Sequence, residues 1–239
     1  MKLDLLRLRT ERGAEIAVLD YEPRRPRKVT LVVGHGYSSS KHNLDFLCSF
    51  LASNGFHVLS LDFPGHKLGA SGGRLDSPLD LTDAMAVVVR YAREHYSTTI
   101  YAVGHSMGAT TALRACAADR EIAGAVSIAT GYGRPAALNA LAGSLTIDLR
   151  SAYVDGLSLL DLVAATEPLL DEALPLLAGR PVLYIAAERD MMVSRRSAEE
   201  LFERAPEPKT FVKIDSDHTS AGENARAAIV AWLNERHPR

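Results

Sequence analysis

Near the amino terminus, "LDLLRLR" and "EIAVLDYEP" alternate apolar with polar positions and predict the two arms of a hairpin. Downstream the pattern changes. "VTLVVGHG", "FHVLSLDFPG", "TTIYAVGHS", "IAGAVSIATGYG", "RPVLYIAAERD" and "KTFVKIDSD" carry short apolar, β-branched runs that predict strands. Between them, "HNLDFLCSFLASNG", "LDLTDAMAVVVRYAREHY", "MGATTALRACAAD", "SRRSAEELFERA" and "SAGENARAAIVAWLNERH" space apolar residues at helical intervals. Gly55 closes the first of these helices as a carboxy-terminal cap. Strands alternating with helices of this length predict an α/β fold, a mostly parallel sheet of about eight strands with helices on both faces.

One interval breaks the rhythm. From Arg134 to Gly179 the chain runs between two strands for far longer than an ordinary loop. It contains "RPAALNALAG", "LSLLDLVAAT" and "PLLDEALPLLAG", which read as short amphipathic helices. Residues 134–179 are therefore expected to form a small helical cap over one end of the sheet, with 1–133 and 180–239 as the core. The alternative is one crossover helix with a surface excursion.

Composition narrows the partners. The 239 residues are 47% hydrophobic and 23% charged, with a formal net charge of -2, so no basic footprint points to nucleic acid or anionic membrane. The cluster "EPRRPRK" has no second basic group to extend it and reads as a solvated turn. No apolar run approaches the roughly 20 residues of a membrane span. "MKLDLLRLRTERGAEI" lacks the apolar centre of a secretory signal, so a cytoplasmic location is expected. Cys48 and Cys116 lie in apolar helical runs and read as buried thiols.

The chemistry gathers around "GHSMG", where Ser106 stands between Gly104 and Gly108 at a strand-to-helix junction with no loop. So tight a turn strains its middle residue and tolerates only hydrogen side chains at its flanks. A serine hydroxyl needs a base to take its proton, and that base needs a third group to hold its tautomer. "FVKIDSDHTS" places His218 after the last strand, and "LYIAAERDMMV" places Glu188 and Asp190 after the preceding one. In a parallel sheet these strand ends share one edge. Four carboxylates compete to orient His218. Asp217 adjoins it and is poorly aimed, Asp215 is expected to fix the loop through backbone amides, and Glu188 still belongs to the strand run. Asp190, just past the strand, is the favoured acid. Donors for a developing oxyanion are expected from the backbone N–H groups of Met107, at the helix start, and Tyr37, in "VVGHGYSSS".

These motifs together resemble the α/β-hydrolase family over nearly the whole chain. The likeness is carried by "HGY" at His35 to Tyr37, "DFPGHKLGASGG" from Asp62, "GHSMG" from Gly104, "ERDMMV" from Glu188 and "DSDH" from Asp215. Their order, serine, acid, histidine, matches that family. The resemblance implies Ser106 as nucleophile, His218 as base, Asp190 as acid, and Tyr37 and Met107 as oxyanion donors. It also implies a small-molecule ester or acyl substrate. No residues have metal-ligand spacing, and neither metal nor cofactor is expected. A thioester, a carbon–carbon bond in a diketone-like substrate, and a non-catalytic receptor role are the alternatives on the same fold. The other histidines read as structural (His35, His66, His105) or as solvated at element ends (His42, His57, His95, His237). "GHKLGASGG" lacks the lysine-serine ending of a phosphate loop.

Overall fold

Strand burial follows sheet position. The computed structural model describes residues 1–96, 99–133 and 145–238. Among them, β1 (Lys2–Arg9), β2 (Glu15–Glu22), β3 (Val29–Gly34), β4 (His57–Leu61), β5 (Thr99–His105), β6 (Ile122–Ile128), β7 (Val182–Ala187) and β8 (Lys209–Ile214) form one sheet, ordered β1-β2-β4-β3-β5-β6-β7-β8. The continuous apolar runs of β3, β4 and β7 are buried at every position, as interior strands covered on both faces require. The alternating β1 and the lysine-flanked β8 take the edges, where they are partly exposed. β2 runs antiparallel to both β1 and β4, and the remaining pairs are parallel. The fold is the predicted α/β fold.

Alternation along each strand feeds two cores. Val32, Leu59, Ala102 and Ala125 face one, with α2 (Pro78–His95) and α3 (Met107–Ala118). Leu31, Val33, Val103 and Val126 face the other, with α1 (Asp45–Ser53). Between β6 and β7 lie α4 (Leu145–Ala152) and α5 (Leu159–Ala173), followed by α6 (Arg195–Arg204) after β7. The predicted segment "RPAALNALAG" lies outside the described residues. The long connection is tied down by bridges from Val154 to His66 and from Gly156 to Leu75. The expected single terminal helix is interrupted, as α7 (Ala221–Asn224) and α8 (Arg226–Arg236), although Ala225 between them keeps helical dihedrals. The Asn224 side chain there donates to Ser216 Oγ at 3.0 Å. No described helix is long and apolar enough to cross a membrane.

His57 is not solvated. It opens an interior strand, so its ring is covered, bonding Asp20 at 2.5 Å and stacking 3.7 Å from Tyr96. His237 is likewise half-buried and accepts from the Tyr101 hydroxyl at 2.9 Å.

Candidate active site

The junction between β5 and α3 is as strained as its sequence implies. Ser106 has φ 54 and ψ -112, a backbone that a non-glycine residue adopts at a cost on the order of 1–3 kcal/mol. Its amide is held by the Ile128 carbonyl at 2.8 Å. The flanking glycines are required by space, since a Cβ on Gly104 would sit 2.0 Å from Gly108 O and one on Gly108 2.2 Å from Gly34 O.

The loops after β7 and β8 are stitched together, which fixes the groups they carry. Glu188 N donates to Ile214 O at 3.0 Å and Arg189 N to Ser216 O at 2.9 Å. His218 Nδ1 consequently lies 2.7 Å from Asp190 Oδ2, and its Nε2 lies 3.1 Å from Ser106 Oγ. Asp190 Oδ1 accepts from Met192 N and Val193 N, both at 2.8 Å. Burial pushes the Asp190 carboxyl up, but the hydrogen bond and charge of His218, with those two amides, outweigh it and hold the group below its ordinary value. An ionised Asp190 favours the imidazole tautomer with its proton on Nδ1, leaving Nε2 free to accept from Ser106. This geometry is able to pass a proton from Ser106 to His218.

The competing carboxylates stand apart. Glu188 is exposed, and Asp215 is exposed and ion-paired with Arg189. Fixing the loop, expected of Asp215, falls to Asp217, which accepts from Ser220 N at 2.9 Å and Ser220 Oγ at 3.1 Å. Asp217 faces the turn into the next helix, whereas Asp215 projects to solvent at the sheet edge. His105 does more than pack, because its Nε2 donates to the His218 carbonyl at 2.8 Å and so braces the loop that carries His218.

The loop after β3 presses on the elbow. A Cβ on Gly36 would lie 3.4 Å from Ser106 Cβ and 3.2 Å from His105 Nδ1, so Tyr37 follows a backbone in close contact with the serine. Met107 is the first residue of α3, where backbone amides have no partner within the helix. Both line a cavity at Ser106. His35 shapes the loop by donating from Nδ1 to Gly36 O at 2.8 Å and accepting from Phe63 N at 3.0 Å, and burial holds it far below its ordinary pKa. Burial similarly lowers His66, whose Nδ1 donates to Pro64 O at 3.0 Å.

An anchor with no mark in the local sequence lies beneath these loops. Lys41 Nζ lies 2.5 Å from Asp62 Oδ2, and both side chains are at most 2% exposed. Asp62 also accepts from Lys41 N at 2.8 Å and Ala70 N at 2.7 Å, joining the loops after β3 and β4. Burial raises its carboxyl, but the Lys41 side chain and the amides prevail and lower it. We expect Lys41→Met to lower unfolding free energy by about 3 kcal/mol, because it leaves a buried carboxylate without its cation. The lowered native value also sets the sign of the pH effect. The pair's contribution is complete above the unfolded carboxylate pKa of about 3.9 and is lost as pH falls through the native one. Urea titrations at pH 7 and at progressively lower pH measure both effects. Wild-type stability at pH 7 in the variant would refute the anchor.

Two cavities flank Ser106. The smaller, about 30 Å³, runs along α3 beneath α5, walled by Leu81, Met107, Leu159, Leu162 and Leu170. The larger, about 380 Å³, opens on the side of His218 and Thr219.

A mostly parallel eight-stranded sheet with a strained serine elbow at its carboxy-terminal edge defines an α/β-hydrolase. Residues 25–159 match the family model described as serine aminopeptidase, S33 (Hydrolase_4), and with more than half of its length matched the chain belongs to that family. A serine hydrolase-like protein of Dictyostelium discoideum is 30% identical over 97 residues, which cover 41% of this chain and only 26% of that protein. Among solved structures, an esterase of Pyrococcus furiosus superposes with a TM-score of 0.78 at 21% identity, covering 99% of this chain and 91% of its own. The ferulic-acid-bound esterase Est1E of Butyrivibrio proteoclasticus gives 0.78 at 18% identity, covering 98% and 100%. At such identities the structural likeness concerns the fold.

Proposed function

We propose that the protein is a serine hydrolase that cleaves a carboxylic ester of small to medium size, with an apolar acyl part, through an acyl-enzyme. The observation that carries this reading is the relay from Asp190 through His218 to Ser106 at 2.7 and 3.1 Å. Ser106 Oγ attacks the carbonyl carbon while His218 Nε2 accepts its proton. The amides of Tyr37 and Met107 receive the negative charge on the carbonyl oxygen. Collapse breaks the ester bond as His218 returns the proton to the departing alcohol oxygen. Water, deprotonated by the same imidazole, then attacks the acyl carbon and frees Ser106. The two cysteines, both buried and unbridged, fit a reducing compartment such as the cytoplasm.

In this reading residues 134–179 cap the site, and α5 lays Leu159, Leu162 and Leu170 over the small cavity as the acyl pocket. Two measurements test the proposal. A fluorophosphonate should label Ser106, and p-nitrophenyl esters should turn over continuously, fastest for short acyl chains. Leu162→Ala should move the optimum to longer chains, with a gain of roughly 4-fold for each further methylene accommodated, from about 0.8 kcal/mol per buried CH₂. Labelling without sustained turnover would favour a receptor. An unmoved chain-length profile would remove α5 from the acyl pocket.

A further inference from the structure

The unequal cavities give the substrate a direction, provided the hydrolase reading above holds. A general acid must stand beside the atom it protonates, so the departing oxygen lies on the His218 side of Ser106. His218 lines the larger cavity, while the smaller one is bounded by α3 and α5. The small cavity, whose leucines are joined by Thr110, Thr166 and Glu167, therefore takes the acyl group and the large one the leaving group.

The leaving-group wall has a distinct chemistry. Beside the apolar Leu44, Leu149 and Met192, the side chains of Ser38, Asn43 and Thr219 present hydroxyls and an amide, and Arg150 is the formally charged side chain among the described lining residues, with no Asp or Glu beside it. Arg150 extends from α4, half-buried, and its Nη1 is 3.5 Å from Ser38 Oγ, a long contact. Among the described residues it has no carboxylate partner, unlike Arg93, which pairs with Asp119 at 2.8 Å. A half-buried guanidinium beside hydroxyl and amide donors is suited to a planar or tetrahedral oxyanion, which it can bind through two parallel hydrogen bonds.

We propose that this chamber is an anion-recognising leaving-group subsite with Arg150 as its specificity residue, so that the substrate is a short-chain ester of an alcohol bearing a carboxylate or phosphate. The test uses three acetate esters on the intact protein: those of 4-hydroxybenzoate, of its neutral methyl ester, and of 4-hydroxyphenyl phosphate. The quantity read is kcat/KM for each anionic ester divided by that for the neutral one, in wild type, Arg150→Gln and Arg150→Lys. Intrinsic leaving-group reactivity is common to all three proteins, and the ratio within one preparation cancels any inactive fraction. For at least one anion, Arg150→Gln should lower the ratio by about 10-fold or more, chiefly through KM, while Arg150→Lys retains part of it. The arm that responds identifies carboxylate or phosphate. Added salt should shrink the wild-type ratio. Ratios unchanged by Arg150→Gln in both arms would overturn the subsite while leaving the hydrolase standing. A wild-type protein that neither hydrolyses any of the esters nor reacts at Ser106 with a fluorophosphonate would overturn the hydrolase, and the subsite with it.

Discussion

Replacing Ser106 by Ala is expected to abolish fluorophosphonate labelling and to lower ester turnover by on the order of 10⁴-fold or more. The size follows from what the change removes. Ser106 Oγ is the atom within 3.1 Å of His218 Nε2, and without it the imidazole has only water to activate. Orientation in the cavity and the amides of Tyr37 and Met107 would sustain only residual hydrolysis. The fold should persist, because alanine meets the same backbone strain at φ 54 that serine already bears. A thermal melt close to wild type would confirm that chemistry rather than folding has been lost. Substantial turnover by a well-folded variant would mean that another group performs the attack.

The elbow serine is legible in the sequence because its signal is local. Gly104, Ser106 and Gly108 occupy one continuous stretch, and the strand and helix on either side announce themselves by period. Their strain and close contacts are consequences of that one turn. The edge-sharing of strand ends similarly makes Asp190 and His218 meet although 28 residues separate them. By contrast, the Lys41–Asp62 pair joins two loops, and nothing adjacent to Lys41 distinguishes it from a solvated lysine before a helix. His57 failed for a related reason. Its place at the start of a strand suggested water, but strand order, which buries β4 inside the sheet, is a tertiary fact. The exchange of roles between Asp215 and Asp217 turns on which way two exposed side chains leave one loop. In the sequence Arg150 is one cation among many within the long connection. Only the cavity on which it borders gives it meaning.

Asp190→Asn is expected to cost about 10⁴-fold in turnover, roughly 5 kcal/mol of transition-state stabilisation, with little change in folding. The local hydrogen bonds explain why so small a substitution has so large an effect. Asp190 Oδ1 accepts from Met192 N and Val193 N at 2.8 Å, and an asparagine will keep its carbonyl oxygen there. Its NH₂ group is then forced into the place of Oδ2, where it faces His218 Nδ1 at 2.7 Å. A donor at that point selects the imidazole with its proton on Nε2, so the nitrogen beside Ser106 can no longer accept. The imidazolium formed during attack also loses its counter-charge. Glu188→Gln, Asp215→Asn and Asp217→Asn supply the comparison. The first two alter exposed groups and should stay near wild type. Asp217→Asn disturbs the contacts to Ser220 and should cost no more than about 10-fold by loosening the loop that carries His218. A neighbouring carboxylate that moves in to serve the histidine would limit the Asp190→Asn loss to about 100-fold, and pairing this change with each of the other three in turn would expose it. If Asp190→Asn retains wild-type turnover while one of the other single variants collapses, that other carboxylate is the acid and the relay must be redrawn through it.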